Sequence, residues 1–146
     1  MMTNKNFSRT TVLNAPVDAL WQIISRAGGV NEWLPFISSC RLEGAGSILR
    51  RYCETVDGKK LSETIDRIDE KNYSFEYSIY AQNMMPLQNY KGKFQLQAAA
   101  AGKTNITWSA SFDIAEEDFP AVEENLKGLY QMGFDGLEKL ALQEAA

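Results

Sequence analysis

The sequence predicts an α+β protein: a seven-stranded antiparallel sheet, one face covered by a long C-terminal helix, with two short helices after the first strand. Three observations carry this. From Ser38 to Ile114, apolar and polar residues alternate in runs broken by turn signals, as in an antiparallel meander. From Phe119 onward, apolar residues recur at spacings of three and four. Between the first strand and the meander lies a shorter helical stripe of Val17, Leu20, Trp21 and Ile24.

The elements follow in order. Phe7 to Leu13, rich in Thr, Val and Phe, reads as the first strand, and Asn14-Ala15-Pro16 starts a helix that runs to about Ser25. Gly28-Gly29 stop that helix, and a second short one spans Val30 to Trp33, ahead of Pro35. Six strands come next: Ser38-Leu42, Ile48-Thr55, Lys60-Asp69, Tyr73-Tyr80, Gln88-Ala98 and Lys103-Ile114. Their connections are Gly44-Ala45-Gly46, Asp57-Gly58, Glu70-Lys71-Asn72, the Met84-Met85-Pro86 loop and Ala101-Gly102. The sets Phe75/Tyr77/Ile79, Tyr90/Gly92/Phe94/Leu96 and Ile106/Trp108/Ala110/Phe112 share one face, so one side of the sheet needs a cover. The last helix supplies it with Phe119, Val122, Leu126, Leu129/Tyr130, Gly133/Phe134, Leu137 and Leu140. Gly128, Gly133 and Gly136 weaken a helix by up to ~1 kcal/mol each, which calls for close packing or, as the alternative, a hinge. No repeat or linker interrupts the chain, so residues 1–146 read as a single domain.

Composition narrows the function. In 146 residues, 45% are hydrophobic and 23% charged, enough to bury one core. With 15 basic and 19 acidic residues the formal charge is −4, and no basic cluster offers a phosphate backbone its driving force, so nucleic acid is not an expected partner. No apolar run reaches the ~18 residues of a membrane span, and Met1 to Arg9 is polar, so no integral membrane association is expected and the cytoplasm is the expected compartment. Cys40 and Cys53 are too widely spaced for a redox pair and too few for a disulfide framework, and are read as reduced thiols. Without histidine, neither the usual general base nor a common metal site is available, and no cofactor or metal is expected. The glycosylation-type triplets at Asn6, Asn72 and Asn105 are read as chance matches.

Several strings in this order resemble a known superfamily. They are Asn14-Ala15-Pro16 with Trp21, Trp33-Leu34-Pro35, Arg51, Asp57-Gly58, Glu63, Pro86 with Tyr90, Ile106-Thr107-Trp108, Ser109-Ala110-Ser111-Phe112 and Gly128-Leu129-Tyr130. Together they resemble the SRPBCC (START-like) superfamily, in its polyketide cyclase/dehydrase and lipid-transport branch. The resemblance implies the helix-grip fold, a seven-stranded curved antiparallel sheet wrapped around the long C-terminal helix, with a hydrophobic cavity between them. It also implies that Asp57-Gly58 and the Gln82 to Gln88 loop flank the cavity mouth, as gate and latch do in plant abscisic acid receptors.

Arg51 and Glu63 are the residues most suggestive of chemistry. If Val56-Asp57-Gly58 forms a three-residue hairpin loop, Arg51 faces Glu63 on the helix side of the sheet, with Leu49, Cys53, Leu61 and Ile65; a two-residue turn would pair Tyr52 with Glu63 instead. Such a pair is either a structural ion pair at the rim or a recognition site in which Arg51 binds a carboxylate or carbonyl oxygen and Glu63 orients it or accepts a ligand proton. Trp33, Phe75, Tyr77, Tyr90, Phe94 and Trp108 are the candidate aromatic lining from the sheet side, and Leu126, Tyr130 and Phe134 from the helix; the alternative is that they simply fill a core. Trp21 is assigned to core, and Cys53 to the lining as an inert thiol. The expected function is binding or transport of a small hydrophobic ligand: a lipid, isoprenoid, quinone or aromatic polyketide. The alternatives are a cyclase or dehydratase using Glu63 and Arg51, and a module that regulates a partner protein. A binding protein fits better than an enzyme, as a monomer or homodimer.

Overall fold

The computed structural model describes residues 1–45 and 48–145. The chain runs β1 (Met2–Leu13), α1 (Val17–Ser25), a 3-10 turn (Val30–Glu32), β2 (Ile37–Ala45), β3 (Ile48–Thr55), β4 (Lys60–Asp69), β5 (Ser74–Gln82), β6 (Leu87–Ala98), β7 (Thr104–Ala115), a second 3-10 turn (Glu116–Asp118) and α2 (Phe119–Ala145). The strands form one antiparallel sheet in the order β1-β7-β6-β5-β4-β3-β2, curved around α2. The predicted fold class holds, and every predicted element is present; the ends agree within a few residues except at the start of β1, and Gly44 and Ala45, predicted as turn, continue β2. Of the predicted Gly44-Ala45-Gly46 turn, Gly46 lies outside the described residues.

One strand is longer than the sequence suggested. β1 begins at Met2 rather than Phe7, because it pairs residue for residue with β7 from Met2 opposite Ala115 to Leu13 opposite Thr104. Its early residues are polar, yet on an edge strand polar side chains can serve the ladder: Asn4 Nδ2 donates to Phe112 O at 3.3 Å. The second short helix is a single 3-10 turn entered through Gly29 at φ 72°.

Curvature comes from extra residues on single strands. Ser62 pairs with Ala81 but Glu63 with Ile79, leaving Tyr80 as an insertion on β5; Asp66 plays the same part on β4. On β6, the shift between Gln88 and Lys91 coincides with Asn89 at φ 55°, a region Asn tolerates better than most residues. Each insertion moves the following residues to the opposite face.

The core lies between the concave face and α2, which buries Val122, Leu126, Tyr130, Gly133, Phe134, Leu137 and Ala141. Ala141 takes the final core position that the spacing had assigned to Leu140, which is only half-buried. Two of the helix glycines have a steric reason. A Cβ on Gly133 would lie 2.6 Å from the Trp108 ring and 3.2 Å from Trp33, and one on Gly136 would collide with the Trp33 carbonyl. Gly128 has open space around its Cα, so close packing explains two of the three.

Cys40 and Cys53 are joined in a disulfide, which corrects the reading of both as free thiols. They occupy directly opposed positions on β2 and β3, with Cα atoms 4.1 Å apart. Spacing along the chain hid the pairing; register creates it. The cysteines therefore no longer argue for a reducing compartment. Among the described residues, no helix is long and apolar enough to cross a membrane.

Candidate functional site: an aromatic cavity with a buried ion pair

The hairpin turn decides where the charges sit. Gly58 adopts φ 86° and the Thr55 amide donates to Lys59 O at 2.8 Å, so the loop is Val56-Asp57-Gly58 and the three-residue alternative applies. Arg51 consequently pairs with Glu63, and Cys53 with Leu61. Both charged residues point inward, Arg51 6% and Glu63 5% exposed. Arg51 Nε donates to Glu63 Oε1 at 2.6 Å, and its Nη1 donates to Ala27 O at 2.8 Å. Ala27 reaches that position through a left-handed φ of 64°, a conformation that an L-residue adopts only when its surroundings hold it there. The guanidinium also lies 5.2 Å from the Tyr77 ring centre, close enough for a cation–π contact. A buried ion pair this well bonded needs its whole environment.

Beside it runs a chain of aromatic hydroxyls. Trp108 Nε1 donates to Tyr77 Oη at 3.0 Å, Tyr77 and Tyr90 share a bond of 3.3 Å, and Tyr90 and Tyr130 share one of 2.6 Å. Burial pushes the phenols of Tyr77, Tyr90 and Tyr130 well above their ordinary pKa, and the Glu63 carboxylate adds to the effect on Tyr77 and Tyr90. Gly92 makes room for this arrangement, since a Cβ there would run into the Tyr77 ring.

Between these groups and α2 is a cavity of about 70 Å³. Its walls include Trp33, Tyr77, Tyr90, Phe94 and Trp108, with Arg51 and Glu63 at one side, Leu126 on the helix, and Cys53, now half of a disulfide. Phe75, Tyr130 and Phe134 do not reach it: Phe75 backs Tyr77 at 6.3 Å between ring centres, Tyr130 lies flat against Trp108 at 3.9 Å, and Phe134 meets Trp108 edge-on at 6.1 Å. They support the wall from behind. Asp57 and Gly58 are likewise absent from the lining, whereas Gln82, Met84, Met85 and Leu87 of the other predicted mouth segment are part of it.

Sequence reasoning did not single out Gln82. Strict alternation from Ile79 puts Ala81 on the inner face, but the Tyr80 insertion turns Gln82 inward, opposite Leu61. There its amide holds the following loop. Nε2 donates to Met85 O at 2.8 Å and Leu87 O at 3.1 Å, while Oε1 accepts from the amides of Met84 and Met85 at 2.8 and 2.9 Å. Phe36, Leu61 and Leu129 add to the apolar lining; Leu61 and Leu129 lie on the faces that register and helical spacing assign to the interior, and Phe36 carries no sequence signal beyond hydrophobicity.

The sequence profile of a family described as polyketide cyclase / dehydrase and lipid transport matches residues 5–141. The chain belongs to that family. Solved structures with the same fold include an uncharacterised protein from Bacillus thuringiensis, with a TM-score of 0.83 and 22% identity over 94% of this chain and 99% of that one. The protein XoxI from Bacillus cereus is similar at a TM-score of 0.83 and 22% identity, covering 97% of this chain and 98% of that one. Norcoclaurine synthase from Thalictrum flavum is similar at a TM-score of 0.78 and 16% identity, covering 97% of this chain and 88% of that one. At such identities the likeness is one of fold, and the fold is the helix-grip. No curated protein matches the chain by sequence. Within the polyketide cyclase / dehydrase and lipid transport family, then, this member presents an aromatic cavity flanked by the buried Arg51–Glu63 ion pair.

Proposed function

We propose that the chain binds a small hydrophobic ligand in the cavity between its sheet and α2. The observation that carries this reading is the cavity itself, an unfilled space of about 70 Å³ walled by aromatic rings and containing a buried Arg51–Glu63 pair. Removing two charges from water costs several kcal/mol per ion, and an apolar pair of similar volume often serves stability as well. A few convergent polar groups in an apolar pocket are what orient a ligand. The space is smaller than the roughly 150 Å³ that takes a benzene ring, so the Met84-Met85 segment moves to admit even a single-ring guest.

Titration with an apolar fluorescent probe tests the reading. Saturable binding that hydrophobic metabolites compete away is expected, and Leu129→Trp, which fills the space from the helix side, is expected to weaken it at least about tenfold. No binding by the wild-type chain would sink the proposal.

A catalytic reading has one observation in its favour: Glu63 Oε2 has no hydrogen-bond partner among the described residues, while Oε1 is held by Arg51. A carboxylate oxygen facing a cavity is placed to exchange a proton with a guest, with Arg51 polarising a carbonyl. Loss of turnover in Glu63→Gln with ligand binding retained would separate an enzyme from a carrier. The third alternative, a partner-regulating module, is favoured by a filled core and gains nothing from this one.

A further inference from the structure

The polar groups around the cavity can be counted one by one, on the reading that it binds a ligand. Arg51 and Glu63 are the charged residues among its described lining, one of each sign, so the cavity has no net charge to offer. The Gln82 amide is fully engaged by the loop it holds. Arg51 uses Nε and Nη1 within the protein, and Glu63 uses Oε1. Among the described residues, only the Trp21 indole N–H is both sealed from solvent and unpartnered. Arg51 Nη2 and Glu63 Oε2, which also lack partners, therefore face open space, and the cavity is the space their residues line.

The tyrosines add one more donor. Tyr77, Tyr90 and Tyr130 carry three hydroxyl protons but share two bonds, and the further bond at Tyr77 is a donation from Trp108. One O–H is left without an acceptor among the described residues. Leaving it on Tyr130, which does not touch the cavity, would strand a buried donor; leaving it on Tyr77 or Tyr90 presents it to the cavity. The polar end of the site thus offers two kinds of donor, guanidinium and phenol, and one acceptor, the carboxylate.

We propose that the cavity selects neutral ligands whose polar end both accepts and donates a hydrogen bond, a phenol or an alcohol, and discriminates against carboxylates. Arg51 does not recruit an anion here. Its charge is already balanced by Glu63 at 2.6 Å, and a second carboxylate would face Glu63 as a like charge away from water. A hydroxyl on an aromatic body accepts from Arg51 Nη2 or the tyrosine and donates to Glu63 Oε2. An ether can only accept, leaving that oxygen unpartnered.

Phenol, anisole and benzoate form a single-ring series that separates these cases. Binding is read from the indole N–H signals of Trp33 and Trp108 in nitrogen-labelled protein, with Trp21, which does not line the cavity, as internal reference. Phenol is expected to bind at least about tenfold more tightly than benzoate, with anisole weaker than phenol. Glu63→Gln, nearly isosteric, removes the opposing charge and is expected to shift the preference toward benzoate by about tenfold, its unliganded indole spectrum reporting that it is folded. The double variant Arg51→Met/Glu63→Leu is expected to lose the preference of phenol over anisole. Benzoate binding as well as phenol to the wild type, or an unchanged order in Glu63→Gln, overturns the proposal. If the fluorescent probe binds while phenol moves neither indole signal, the selectivity proposal fails and ligand binding stands; if the probe fails too, both fall.

Discussion

Arg51 and Glu63 show how strongly a pair of residues can depend on each other. Each is nearly sealed from solvent, and each is acceptable there because the other cancels its charge. Replacing Arg51 with Met leaves an unmatched buried carboxylate, and the expected cost is about 3–5 kcal/mol of unfolding free energy. Replacing both, as in Arg51→Met/Glu63→Leu, is expected to cost much less, or to stabilise. Chemical denaturation of the two variants and the wild type measures the difference; equal losses in the single and double variants would show that packing, not charge, dominates. The pairing itself was legible in the sequence once the turn was read as Val56-Asp57-Gly58, because register along a hairpin follows from its loop. The additional acceptor was not. Ala27 O reaches Arg51 only through a left-handed residue ahead of Gly28-Gly29, and nothing in an alanine announces that conformation.

At the scale of elements, α2 contains three glycines of opposite meaning. Gly136→Ala is expected to destabilise the protein by more than about 1 kcal/mol, because a Cβ there collides with the Trp33 carbonyl, which is backbone and cannot swing aside. Gly128→Ala is expected to stabilise it by about 0.5–1 kcal/mol, since the site is exposed, helical and unobstructed. Thermal unfolding of both variants provides the check, and the opposite order would show that the glycines serve motion rather than packing. Periodicity placed the helix and its buried stripe correctly but could not tell these glycines apart, because what crowds two of them comes from β7 and from the turn after α1. The strands divide in the same way. Alternation located Tyr77, Tyr90, Phe94 and Trp108 on the inner face, but the predicted strand stopped at Tyr80, short of the point where one inserted residue turns Gln82 rather than Ala81 inward. An insertion of that kind leaves no trace in composition, so Gln82 entered the sequence reading only as the start of the mouth segment, and its inward turn and its hold on the Met84-Met85 loop were not legible.

For the whole molecule, the buried phenols link folding to pH. The folded chain keeps the protons of Tyr77, Tyr90 and Tyr130 beyond the ordinary phenol range, while the unfolded chain releases them near pH 10. The folded state then binds more protons, so stability from these groups is intact below about pH 10 and falls above it, by up to about 1.4 kcal/mol per phenol per pH unit. Alkaline titration followed by phenolate absorbance is expected to show the exposed tyrosines ionising first and the buried set appearing together with the loss of helical signal. Smooth titration of all six tyrosines in a folded chain would contradict the network. Sheet, helix and aromatic layer were all legible because they are written in periodicity, whereas the disulfide and the small size of the cavity depend on how faces meet in three dimensions. Gly136 also has a mechanical consequence. Where it sits against the Trp33 carbonyl, helix and turn approach backbone to backbone, so that end of the roof has no side chain to yield; breathing that admits a guest is expected at the other end, where Leu126 and Leu129 line the cavity together with Met84 and Met85.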